Sequence, residues 1–157
     1  MRPVRRLLLL GTPAAIFGCA TGPVDRPPAE RPTLTSEQSR LKDALRGTPV
    51  VVDTMADGRM RVEVPLQFSF DAGRGAVKPP LAAVLDRMAA GLRLANFDVR
   101  IGAPADPKGS SASLVQDRAA SVRDYLVARG VRLARIVSLG KAGGEFVEVL
   151  VSERATR

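Results

Sequence analysis

Apolar and polar residues alternate with a period of two on both sides of Asp57-Gly58, in VVVDTMADGRMRVEVPLQFSF. Asp-Gly between two alternating runs is a strong hairpin signal. The second arm puts Met60, Val62 and Val64 on one face. Ahead of it, TSEQSRLKDALRG carries Thr35 and Gln38 at capping-box spacing and ends on Gly47, which predicts a short charged helix over 36–46. The period then changes to that of a helix in AVKPPLAAVLDRMAAGLRLAN. Leu81, Val84, Leu85, Met88 and Leu92 form one stripe, Pro79 and Pro80 suit the first turn, and Asn96 is a left-handed stop.

Phe97, Val99 and Ile101 alternate in the next strand, FDVRIGA. A second helix follows over about 114–129, closed by Gly130, with Val115, Ala119, Val122 and Leu126 as its stripe. Ser113 and Gln116 have capping-box spacing, which sets its start at Ser113. RIVSLGKAGG reads as a short strand with a glycine-rich turn, and EFVEVLVSE as a last strand with Val147, Val149 and Val151 facing one way. The order β-α-β-α-β-β, preceded by a short helix and a β-hairpin, predicts an α+β fold, a two-layer α/β sandwich.

The N-terminus follows neither period. In MRPVRRLLLLGTPAAIFGCATG, three arginines precede an apolar run from Leu7 to Phe17 that is too short to span a bilayer and reads as a signal peptide. Ile16-Phe17-Gly18-Cys19 resembles the lipobox of bacterial lipoproteins, which implies a lipid on Cys19. Cys19 is the sole cysteine, so no internal disulfide competes for it. Each buried acyl CH₂ contributes about 0.8 kcal/mol of anchoring. Ala20 follows the cysteine, which by the same resemblance implies the outer membrane. Residues 20–34 hold four prolines, and an extended spacer of that length reaches roughly 45 Å. The expected organisation is a signal peptide over 1–18, lipidated Cys19 and linker over 19–35, helix and first hairpin strand over 36–58, and the main domain over 59–157.

Composition narrows the function. The net charge is +8, and leaving out Arg2, Arg5 and Arg6 of the leader brings it to +5. The remaining cations are scattered among acids, there is no Trp and a single Tyr, and the chain carries an export signal, so nucleic acid is not expected as a partner. Histidine is absent. Only serine–lysine or carboxylate chemistry remains for an enzyme, no cofactor or metal is implied, and a non-enzymatic role is expected. Asp117 and Asp124, seven apart on a helix, read as a solvated face, and Tyr125 as a partly buried packing residue.

Several segments together resemble the OmpA-like domain, from about Val64 to Glu153. They are Phe68-Ser69-Phe70-Asp71-Ala72 as its first strand, the proline-started helix, Val99-Arg100-Ile101-Gly102, the turn Asp106-x-x-Gly109-Ser110, Arg118 to Leu126, Gly130-Val131, Arg135-Ile136 and Leu139-Gly140. The resemblance implies an OmpA-like sandwich that binds peptidoglycan noncovalently, with Asp106 and Arg118 clasping the zwitterionic end of diaminopimelate. A carboxylate accepts from an ammonium and a guanidinium fork suits a carboxylate. Gly109, Ser110 and Ser111 are the supporting loop, the serines as caps. As plain residues, Asp106 would form a turn in Asp-Pro-Lys-Gly and Arg118 a solvated helical ion pair. The chain departs from the family's usual Gly-His-Thr-Asp, with Gly102-Ala103-Pro104-Ala105 before Asp106, and the loop to Arg118 is about three residues shorter. The expected partners are peptidoglycan, the outer membrane through the lipid, and envelope proteins. The alternative is a degenerate OmpA-like domain used for protein–protein contact in an envelope assembly.

Overall fold

The computed structural model describes residues 31–154. The signal peptide, Cys19 and most of the proline-rich linker lie outside them. Helix α1 (Leu34–Ala44) is followed by β1 (Val51–Thr54), β2 (Met60–Pro65), a single helical turn α2 (Leu66–Ser69), α3 (Pro79–Leu92), β3 (Phe97–Ala103), α4 (Ala112–Ala128), a 3₁₀ turn at Leu133–Arg135, β4 (Ile136–Lys141) and β5 (Phe146–Glu153).

The five strands form one sheet in the order β1-β2-β5-β3-β4. All neighbours are antiparallel except β3 and β4, which run parallel with α4 between them in sequence. The last strand, β5, slots between β2 and β3. Its register lines up Met60, Val151 and Val99 in one row and Val62, Val149 and Ile101 in the next. Period-two alternation then sends all six to the same face. That face is buried beneath the stripes of α3 and α4 in one core, while Arg61, Glu63, Arg100 and Glu148 lie on the other face. The result is the expected two-layer α+β sandwich, and both helical stripes read from the sequence are buried in full.

Helix boundaries differ from the sequence expectation where several hydroxyls compete for one cap. Thr33, not Thr35, caps α1, and Ser36 supplies the reciprocal bond a Gln would have made, so the helix begins at Leu34, inside the expected linker. Ser111, not Ser113, caps α4 by accepting from the Leu114 N–H at 3.2 Å. Helix α3 ends at Leu92 with a right-handed cap at Arg93, short of Asn96.

The segment Phe68–Ala72 does not form the expected strand. Strand β2 stops at Pro65, which has no N–H to continue a ladder. The buried Ser69 hydroxyl then donates to the carbonyls of Val64 and Pro65, folding the chain into α2. Phe70 then returns to extended backbone.

The expected boundary between 58 and 59 falls in the loop of a paired hairpin. Leu41 and Leu45 of the α1 segment belong to the same core as β5. Glu37 is buried with them, bonded by Arg40, with its carboxylate against the Cα of Gly91 on α3.

Candidate ligand-binding site

Helix α4 faces the sheet with Val115, Ala119, Val122 and Leu126. Arg118 lies on the same buried side, two turns in from the Ser111 cap, and is 0% exposed. A guanidinium there must find internal acceptors. It does: Nε donates to the Arg74 carbonyl at 3.0 Å, one terminal nitrogen to the Pro104 carbonyl at 2.8 Å, and the other to the Asp71 carbonyl at 3.2 Å and the Asp106 Oδ1 at 2.5 Å. The ring of the buried Phe70 lies under it, 5.1 Å from the guanidinium carbon. Arg118 therefore ties α4 to two loops, one after α2 and one after β3.

Asp106 meets it from the second loop. Its other oxygen, Oδ2, accepts from the Gly73 N–H at 2.7 Å. Gly73 has φ +67°, a conformation that favours glycine, and it aims that N–H at the carboxylate. The backbone of Asp106 is fixed as well. Its N–H donates to Ser110 Oγ at 3.2 Å, and its carbonyl accepts from Gly109 N–H at 2.9 Å, closing the Asp-Pro-Lys-Gly turn with Gly109 at φ +89°. The Gly73 N–H, and after it the Arg118 guanidinium, hold the Asp106 carboxyl below the usual carboxylate range. It is ionised at neutral pH, with its side chain 13% exposed.

Two clefts open on either side of Asp106. The larger, about 680 Å³, has an apolar wall of Leu66, Phe70 and Pro107 and is rimmed by Asp106, Lys108 and Glu145. The other, about 420 Å³, is lined by Gly73, Asp106, Ser110, Ser111, Ser113 and Asp117.

The structure thus brings together Asp106 and Arg118, twelve residues apart in sequence, with Gly109, Ser110 and Ser111 as the loop between them. Asp106 also takes the turn-forming role expected of it as a plain residue, whereas Arg118 is buried and not on a solvated helix face. Tyr125 is half-buried, packs against the core and bonds Asp86 with its hydroxyl. Asp117 and Asp124 are both exposed.

Sequence reasoning did not find Gly73, the Asp71 and Arg74 carbonyls, Phe70 as the floor under the guanidinium, or Lys108 and Glu145 on the cleft rim. Main-chain acceptors carry no signal in side-chain identity. The one legible clue was Asp71-Ala72-Gly73, a turn sequence directly after the Phe70 segment.

This architecture recurs in solved structures. The cell wall anchor of the T6SS from Pseudomonas aeruginosa aligns at a TM-score of 0.60 and 22% identity, over 80% of this chain and 100% of that one. A MotB-like protein from Desulfovibrio vulgaris aligns at 0.59 and 16% identity, over 78% of this chain and 95% of that one. The periplasmic domain of Helicobacter pylori MotB gives 0.59 and 16%, over 70% and 83%. The chain has the OmpA-like fold. No family model matches the sequence, and neither does any curated protein. The described residues hold no helix long and apolar enough to cross a membrane.

Proposed function

We propose that the chain binds cell-wall peptidoglycan noncovalently at Asp106, as a module without catalytic activity. The observation that carries the reading is the double fixing of the Asp106 carboxylate, by Arg118 on one oxygen and by the Gly73 N–H on the other. It holds an ionised carboxylate, on a side chain that is 13% exposed, at the junction of two clefts. Such a group accepts hydrogen bonds from an ammonium, and a diaminopimelate stem ends in one. Arg118 acts through Asp106: with no exposed surface it keeps the carboxylate charged and aimed. The likeness of fold to a structure described as a cell wall anchor supports the same reading.

The lipobox resemblance at Cys19 extends the proposal. A lipid there would hold the chain at the outer membrane with the sandwich in the periplasm, so that one molecule links membrane to wall. A single small-ligand contact of this kind is weak, and many copies on one wall make the link effective.

Retention of the full chain on purified peptidoglycan tests the reading. Wild type is retained and Asp106→Asn is released at lower salt. A wild-type chain that stays in the supernatant contradicts the proposal and favours the protein–protein alternative.

A further inference from the structure

In the clasp that the OmpA-like resemblance implies, Arg118 would take the ligand's carboxylate, yet its fork faces inward. Four acceptors of the chain itself engage it, and none of its surface is exposed. A carboxylate arriving from solvent cannot reach it without displacing Asp106 or opening the two loops. Some other cation must meet that carboxylate, or none does.

One residue on the rim has the required chemistry. Lys108 lies two positions after Asp106 in the tight turn closed by Gly109, and both line the larger cleft. It is exposed, and it takes part in none of the ion pairs among the described residues. The neighbouring cations are paired elsewhere or line neither cleft. Lys78 pairs with Asp71 at 3.2 Å and donates to the Gln67 carbonyl, and Arg74 lines neither cleft. Among the described residues, Lys108 is therefore the one cation on the wall of either cleft that borders Asp106.

We infer that Lys108, rather than Arg118, receives the carboxylate of the ligand's amino-acid end. This rests on the wall-binding reading and assigns the two charges of the ligand to two residues of one turn: ammonium to Asp106, carboxylate to Lys108. The turn sets their spacing, because Pro107 between them has a fixed φ and the backbone closes on itself at Gly109. Lys108 offers a compact charge on a flexible stem, not a planar fork. The contact it makes is correspondingly exposed, salt-sensitive and tolerant of ligand geometry. Glu145, on the same rim, adds a second negative group, so the cleft favours an ammonium over an extra carboxylate.

The test is calorimetric titration of the full chain with diaminopimelate blocked at one end by acylation and amidation, leaving one free amino-acid end, and with the same molecule whose remaining carboxyl is also an amide. Lys108→Ala is expected to weaken the free acid about fivefold to tenfold. The same change leaves the amide unaffected, and Lys108→Arg restores binding of the acid. Equal binding of the free acid by wild type and Lys108→Ala, with loss in Asp106→Asn, overturns the inference and leaves the wall-binding reading standing. No binding of the free acid to wild type contradicts that reading, and the inference falls with it.

Discussion

Arg118 reaches Asp106 Oδ1 at 2.5 Å from a position with no solvent exposure, and Asp106 in turn holds Gly73 N–H at 2.7 Å. Three separate segments are thus joined by two side chains, one of them deep in the domain. Removing either end leaves different groups without partners, and the consequences differ.

Arg118→Ala leaves Asp106 and three carbonyls short of a donor. Breaking a buried ion pair from one side costs about 3–5 kcal/mol. Arg118→Lys keeps the charge but loses the fork, and a loss of about 2 kcal/mol is expected, of the size of one charge-assisted hydrogen bond. Urea unfolding of both variants reads the two values. A loss below about 1 kcal/mol in Arg118→Ala contradicts the geometry described.

Acid stability reports the same carboxylate. The folded pKa of Asp106 lies below that of the unfolded chain, so the folded state binds the proton less readily. The stability it adds is present in full above the unfolded value of about 3.9 and is lost as the pH falls through the folded value. Between pH 5 and pH 2, wild type is expected to lose more stability than Asp106→Asn. Parallel acid limbs for the two proteins would count against it.

Gly91 is predicted to be a site of close approach between α1 and α3. A Cβ there would overlap the Glu37 carboxylate, which is itself buried and held by Arg40. Gly91→Ala should cost about 1–3 kcal/mol by overpacking. Glu37→Ala beneath it should relieve much of that clash, giving a coupled double-mutant cycle. Additive effects of the two changes would show that the helices adjust independently.

Gly73→Ala places a side chain at φ +67°. The space around it is open, so the cost is backbone strain alone, about 1 kcal/mol. The N–H that Asp106 uses shifts with it, and wall retention should fall more than stability does. Unchanged retention would separate Gly73 from the site.

How much of this was legible beforehand varies by element. The Leu81–Leu92 and Val115–Leu126 stripes, and the alternation in β2, β3 and β5, named the core correctly because burial on one face repeats in the sequence. Caps were misplaced by two residues at Thr33 and Ser111, since neighbouring hydroxyls all satisfy the same rule and packing selects among them. The turn at Leu66–Ser69 was hidden because Phe68 and Phe70 keep a strand's alternation while Pro65 and the Ser69 hydroxyl break the strand. At the site, the family resemblance pointed to Asp106 and Arg118, but not to which way the guanidinium faces. That depends on the Pro104, Asp71 and Arg74 carbonyls, whose positions exist only once the loops are folded.

The most direct measurement of the central claim is an amide NMR titration of the full chain with meso-diaminopimelate. Shifts should centre on Gly73, Asp106 and Lys108, vanish in Asp106→Asn, and leave the far end of α4 untouched. An unperturbed spectrum at saturating ligand, or shifts confined to surfaces away from the Asp106 turn, would contradict the account.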